Sequence, residues 1–278
     1  MTNITQAKAS MWLKRLQDNP MIFHNEHLGI PCDEASRKIG KGYWSGQEAI
    51  IRTIWNNKRT AIKSCHTIGK SFVMARIGLA FLYCFPPAMV IMTAPTGRQA
   101  KDILWAELSN AFLKNKDKLC GELKSNYLYP DPNNRKWFAT AFSTEVKVAD
   151  EVAETIKGYH QKNMIFIVDE ASGVHPKVLN SIEAGLSSSG TKLVVIGNPD
   201  NPTGYFADCF TNPYFAKITI SAFNTPNFTG EGNYASLINP EWVTEKEAEW
   251  GKNHPFWYSK ILGEFPPISA DSIIGIDD

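Results

Sequence analysis

Eight consecutive residues, Ser64, Cys65, His66, Thr67, Ile68, Gly69, Lys70 and Ser71, carry the strongest chemical signal in the sequence. They read as a phosphate-binding loop, G-x-x-x-x-G-K-[ST], with Ser64 in the first glycine position. In such a loop, backbone N–H groups and the positive end of the following helix hold phosphate oxygens. Gly69 lets the backbone come close. Lys70 would reach the β and γ phosphates of ATP, and the Ser71 hydroxyl would ligate Mg²⁺. The plainer reading is a chance Gly-Lys-Ser on a surface loop. A strand candidate before the run and an apolar helix candidate after it argue against that.

The second signal is Met164-Ile-Phe-Ile-Val168 followed by Asp169-Glu170. An apolar strand that ends in a carboxylate is what a phosphate-binding loop needs as its magnesium partner. Asp169 is then the metal residue, acting through water, and Glu170 is placed to polarise an attacking water. A solvent-facing strand end is the competing reading.

Three weaker signals follow the same logic. Asn198, in Gly197-Asn198-Pro199, follows another strand candidate and is suited to touching a γ-phosphate or its water, although the tripeptide also reads as a plain turn. Gln47 carries an amide that can donate to and accept from adenine, or it is simply a surface glutamine. Arg98 would sit at the rim of the crevice, near phosphate, DNA or a neighbouring subunit's nucleotide, with a structural salt bridge as the alternative. Cys65 fills a variable loop position. His66 is assigned no metal or proton-transfer role, because no second histidine stands at ligand spacing.

These residues need a frame. Strand candidates lie at Thr60–Lys63, Met89–Thr93, Trp137–Phe142, Met164–Val168, Leu193–Ile196 and Ala216–Ile220. Between them, helical spacing runs through Ser71–Phe85, Arg98–Leu113 and Pro176–Leu186. Short apolar strands alternating with helices predict an α/β fold of the P-loop NTPase type, with a mostly parallel sheet covered on both faces. Gly40, Gly42 and Gly46 are expected to break up a helical amino-terminal piece. A helix over Glu241–Ile261, interrupted near Gly251 and Pro255, is expected to lay Trp242, Trp250 and Trp257 against the body.

The 278 residues are long enough for a substantial core, and 43% apolar with 21% charged residues is an ordinary globular composition. A net charge of +1 supplies no compositional case for DNA. The five cysteines fall without paired C-x-x-C spacing, which fits reduced thiols. The most apolar segment, Phe72–Met92, holds Arg76, Pro86 and Pro87, and so reads as a buried helix, a loop and a strand rather than a membrane span.

As an ordered set, the motifs resemble the ATPase domain of the large terminase subunit, the DNA-packaging motor of tailed bacteriophages. The pieces are Gln47 in Trp44-Ser-Gly-Gln47-Glu, the loop Ser64–Ser71 with Phe72, Thr93–Gln99 with Trp105, Asp169-Glu170-Ala171, Gly197-Asn198-Pro199 and Gly263-Glu264-Phe265-Pro266. The resemblance implies a RecA- and helicase-like core with a lid. It implies ATP and Mg²⁺ as cofactors, Gln47 on adenine, Lys70 and Ser71 on phosphates and metal, Asp169 supporting the metal, and Glu170 catalytic. Lys63 is the nearest basic side chain to match one the family carries in or beside this loop.

The expected partners are double-stranded DNA, the portal and procapsid, the small terminase subunit, and further copies of the chain in a ring. The isolated chain is expected to be monomeric in dilute solution, in the host cytoplasm and not on a membrane. Arg98 is the first candidate for an arginine acting across subunits, with Arg76, Arg135 and Arg52 as alternatives. The expected organisation is a helical region at 1–55, an ATPase core at 56–222, a lid and closing part at 223–267, and the start of a linker at 268–278. Family members continue into a nuclease. None is expected in this chain, although Asp277 and Asp278 resemble its strand-end acids. A helicase or recombination ATPase, or an assembly protein that binds nucleotide without turnover, is the alternative.

Overall fold

A computed structural model describes residues 3–267 of the chain. Asp277, Asp278 and the proposed linker at 268–278 lie outside the described residues.

Four helices come first: α1 (Asn3–Asp18), α2 (Pro20–Glu26), α3 (Glu34–Lys38) and α4 (Ser45–Asn56). β1 (Arg59–Ser64) then leads through the phosphate-loop sequence into α5 (Lys70–Cys84). There follow β2 (Ala88–Ala94), a π-helical stretch Arg98–Trp105, α6 (Ala106–Lys114), β3 (Glu122–Leu123), β4 (Tyr127–Tyr129) and β5 (Phe138–Ser143). Next come α7 (Ala149–Lys157), β6 (Asn163–Val168), α8 (Pro176–Gly185), β7 (Gly190–Gly197), α9 (Tyr205–Thr211) and β8 (Ala216–Ile220). α10 (Pro226–Thr229), α11 (Pro240–Trp250) and a second π-helical stretch, Trp257–Leu262, close the described chain.

The eight strands form one sheet in the order β3-β4-β5-β2-β6-β7-β1-β8. From β5 to β8 every pairing is parallel; β3 and β4 add an antiparallel edge. All parallel strands therefore end on the same side, and the sheet delivers Ser64, Ala94, Val168 and Gly197 to one rim. The fold is the expected mostly parallel α/β sheet with helices on both faces.

Strand side chains alternate between two cores, as the two-residue period of a strand requires. Ile62, Val90, Met92, Ile165, Ile167, Val194 and Ile196 face the layer of α4, α5 and α6. Ala61, Met89, Ile91, Met164, Phe166, Val168, Leu193 and Val195 face α7, α8 and α9. Each large side chain so buried contributes roughly 1.5–3 kcal/mol. Helix α5 is apolar on nearly every face because the sheet, α4 and α6 surround it. Phe23, Tyr43 and Trp44 from the amino-terminal segment are fully buried in the same layer.

Several elements differ from the sequence expectation. The segment Arg98–Leu113 is helical, but its first eight residues are π-helical. The helix over Glu241–Ile261 is interrupted at Gly251, as expected, but its second part, Trp257–Leu262, is π-helical. Gly46 does not break the chain. It lies in the first turn of α4, where an added Cβ would meet the Trp44 ring at 2.0 Å. Helices α7 and α9 and the β3–β4 edge were not anticipated. Trp257 is buried, and Trp242 and Trp250 pack partly buried against the core.

Candidate functional site

The loop between β1 and α5 is shaped by its own backbone. Gly69 adopts φ 79, and Thr67 is left-handed at φ 55 without being glycine. For Thr67 this conformation costs about 1–3 kcal/mol and persists because the surroundings impose it. The surroundings here are several. Cys65 N–H donates to the Ile220 carbonyl at 2.8 Å, and His66 N–H to the Lys260 carbonyl at 3.0 Å. The Thr67 carbonyl accepts from Ile238 N–H at 3.1 Å. Gln47 Nε2 donates to the Ile68 carbonyl at 3.0 Å. That amide also explains Gly69, whose missing Cβ would lie 2.6 Å from Gln47 Nε2.

The N–H groups of Ile68, Gly69, Lys70 and Ser71 have no protein acceptor among the described residues. They cluster at the positive end of a 15-residue helix. Unpaired helix-start donors of this kind form an anion site.

Lys70 is 9% exposed and has no carboxylate within ion-pair distance among the described residues. Its Nζ lies 3.5 Å from the Cys65 carbonyl and 3.5 Å from Asn198 Oδ1. Contacts that long hold an ammonium loosely. Asn198 is buried, and its Nδ2 donates to the Ser64 carbonyl at 2.6 Å. It thus bridges the start of the loop and its lysine.

Across from the loop, Ser71 Oγ donates to Asp169 Oδ2 at 2.7 Å. Asp169 is held by the sheet, its N–H donating to the Thr93 carbonyl at 2.9 Å. Burial, then the neighbouring Glu170 charge, push its carboxyl up to about 6, against the pull of Ser71 and Lys70. A hydroxyl and a carboxylate facing each other in this way are oxygen donors suited to a hard divalent cation. Glu170 is left-handed at φ 47 and half-buried. Gly197 allows this, because a Cβ there would meet Ala171 N at 3.1 Å.

The structure therefore brings Gln47, Ser64–Ser71, Asp169, Glu170 and Asn198 together at one rim. Cys65 is buried, and burial pushes its thiol up to about 12. His66 is half-buried with its ring edge-on to Trp242; burial, Lys260 and Lys70 bring it down to about 4. Lys63 points elsewhere, into an ion pair with Glu264 between the rings of Phe210 and Phe265.

Among the candidate arginines, Arg76 pairs with Glu107 at 2.9 Å over the Phe72 ring, and Arg52 pairs with Glu48. Arg135 covers Tyr129 just before β5, at the far end of the parallel strands. Arg98 is exposed at the carboxyl end of β2 and has no ion-pair partner among the described residues. A cavity of about 550 Å³ opens beside the site, lined by Pro95, Glu145, Ala171–Pro176, Asn201 and Thr203–Phe206, and it includes no residue of the phosphate loop. Sequence reasoning missed Asp200, Lys260 and the Ile220 carbonyl. Nothing in their local sequence signals contacts that arise only in the folded chain.

The chain is 24% identical over 249 residues to a probable terminase large subunit of Enterobacteria phage P7, covering 84% of this chain. The chain is similar to phage large terminases. It spans 48% of that relative's length. The Thermus phage P74-26 large terminase ATPase domain has the same fold, with a TM-score of 0.60 at 17% identity, covering 85% of this chain and 99% of that one. The large terminase of a thermophilic bacteriophage, solved in complex with ADP, matches with a TM-score of 0.58 at 17% identity, over 79% of this chain and 53% of that one. No family model matches the sequence. Among the described residues, no helix is long and apolar enough to cross a membrane.

Proposed function

We propose that this chain is the ATPase part of a large-terminase-type motor, which hydrolyses ATP to move double-stranded DNA into a viral procapsid. The observation that carries the reading is the pairing of free N–H groups at Ile68–Ser71 with the Ser71–Asp169–Glu170 cluster across the same crevice. The large terminase relative and the ADP-bound structural neighbour support it.

The residues present fit Mg·ATP. Backbone N–H groups from Ile68 to Ser71 bind phosphate oxygens, and Lys70 exchanges its two loose contacts for phosphate charge. Ser71 Oγ and Asp169 would hold Mg²⁺, which when bound neutralises charge on the phosphates. Glu170 accepts a proton from the attacking water. Asn198 gives up Lys70 and meets the terminal phosphate. Gln47, with one amide N–H committed to the loop, keeps its carbonyl oxygen and second N–H for adenine. Its bracing of Ile68 ties base recognition to loop shape. We place the ATPase core at 56–222 and the lid and closing part at 223–267, after the helical region 1–55.

Arg98 is proposed to complete a neighbouring copy's site in a ring, since Arg76 and Arg52 are occupied and Arg135 lies at the wrong end. The partners in this reading are double-stranded DNA, the portal-bearing procapsid, the small terminase subunit and further copies of the chain, in the host cytoplasm. Nuclease activity is not part of the proposal.

The test is phosphate release from Mg·ATP at increasing protein concentration, with and without double-stranded DNA and procapsids. Turnover per subunit should rise with assembly, by up to about 10³-fold where an arginine acts in trans, and light scattering should follow the mass. A rate that stays flat from monomer to assembled ring would remove the role given to Arg98. No turnover under any of these conditions would remove the ATPase reading.

A further inference from the structure

The loop Ser64–Ser71 and the Asn198 loop after β7 are joined by a third element, outside the proposed chemistry. Lys260 lies in the π-helical stretch Trp257–Leu262. Its backbone carbonyl accepts the His66 N–H at 3.0 Å, and its Nζ contacts both Asp200 carboxylate oxygens, at 2.6 and 2.7 Å. Asp200 stands two residues after Asn198, and its N–H donates to the Asn198 carbonyl at 2.9 Å. Asn198 returns to the phosphate loop through the Ser64 carbonyl and Lys70. With the backbone from Ser64 to His66 as one side, the contacts close a ring through Lys260, Asp200 and Asn198.

Two independent features mark this segment. It is π-helical, a geometry that recurs at functional sites. It also ends on Gly263, left-handed at φ 65, where a Cβ would lie 2.4 Å from the Ile220 carbonyl and 2.9 Å from Cys65 N. The backbone of 260–263 is thus seated directly on the phosphate loop. The Lys260 side chain is 17% exposed and that of Asp200 42%, so the pair is partly shielded from solvent.

We propose that Lys260 is a positioning residue, which ties the Asn198 loop to the phosphate loop and passes the movement of Asn198 into the segment Trp257–Gly263. The inference rests on the ATPase reading for its consequence in turnover, but the ring itself is a property of the protein without nucleotide. When phosphate takes Lys70 away from Asn198, the loop carrying Asp200 moves with Asn198. The ion pair then pulls on Lys260, whose carbonyl holds His66. Lys260→Met keeps the aliphatic stem and removes the charge, and Asp200→Asn keeps the shape.

The experiment is a double-mutant cycle with two readouts on the full chain: wild type, Lys260→Met, Asp200→Asn, the double variant and Lys260→Arg. The first readout is amide exchange at His66 without nucleotide. Each single variant should exchange about 5- to 10-fold faster there, the double variant no faster than either, and Lys260→Arg like wild type. The second is steady-state turnover of Mg·ATP, in which kcat should fall by a similar factor while KM changes less than about twofold. Unchanged exchange at His66 in both single variants overturns the proposal, whatever the turnover. So does additivity in the double variant, because the two side chains then act separately. Absence of turnover in wild type with the exchange pattern intact would overturn the ATPase reading and leave the ring standing.

Discussion

The two halves of the candidate site are built on different principles. One half rides on the sheet: Ser64, Asp169 and Gly197–Asn198 sit at or just past the ends of β1, β6 and β7. Their positions follow from parallel ladders between largely buried strands. The other half comes from outside the sheet. Ile238, Lys260 and Gly263 reach the phosphate loop through single hydrogen bonds and one close backbone contact. A strand end moves only if the ladder breaks. The strap is anchored in the core by Trp257 and Ile261, but its links to the loop are single hydrogen bonds that can be exchanged one at a time. Groups that must be placed accurately for chemistry lie on the first half. Groups able to change the loop's shape lie on the second.

The largest expected effect tests the sheet-borne half. Glu170→Gln keeps the left-handed turn and the shape but loses the proton acceptor. Turnover should fall by roughly 10²–10⁴-fold while nucleotide affinity stays within a few fold. Equal losses in both would mean that the substitution disturbs the Asp169 turn instead.

The next effect separates the halves. Gly263→Ala forces a Cβ against the Ile220 carbonyl and Cys65 N in a left-handed conformation. It should cost roughly 1–3 kcal/mol in denaturant unfolding and weaken nucleotide binding as well. Gly230→Ala has a similar left-handed conformation, φ 76, with nothing within 4 Å. It should cost about 1 kcal/mol and leave nucleotide binding alone. If both variants bind nucleotide equally, the strap does not shape the loop.

How much was legible follows the same division. The phosphate loop, the Asp169–Glu170 strand end and the Asn198 turn stand out because a buried strand writes a continuous apolar run. The residue just past that run is where side chains reach the rim. Helix α7 was written too: Ala149, Val152, Ala153 and Ile156 fall at helical spacing and are all buried, but its charged outer face hid the pattern. The β3–β4 edge, two and three residues long, is too short for any period to show. The π-helical turns carry no pattern that separates them from α. Lys260 and Asp200 are 60 residues apart, so their meeting is a fact of topology alone. Gly46 was legible as a glycine but misread, since its need is room for the Trp44 ring rather than a bend.

The smallest effect lies behind the loop helix. His24 is fully buried, its ring paired with Tyr43 Oη at 2.8 Å and its Nε2 without a partner. Burial, then the Arg76 charge, lower it from 6.5 to about 3. A histidine lowered on folding contributes stability that is complete above its unfolded value and is lost as pH falls below it, because only the unfolded chain then takes up the proton. Between pH 6.5 and about pH 5 the loss should approach roughly 2 kcal/mol. His66, also lowered, adds in the same direction. Denaturant midpoints should therefore fall over this range in wild type and fall less in His24→Gln. Parallel slopes would show that His24 does not stay neutral in the folded chain.

In the proposed function, the free N–H groups and loosely held ammonium at the start of α5 bind the phosphates of a nucleotide that the chain hydrolyses. Steady-state phosphate release from Mg·ATP by wild type and Lys70→Ala, alongside equilibrium nucleotide binding and a denaturation curve for each, tests it most directly. Removing a single preorganised charge aimed at the reacting phosphates should lower turnover by roughly 10²–10³-fold in a variant that still unfolds cooperatively. A folded Lys70→Ala protein that releases phosphate near the wild-type rate would contradict the account.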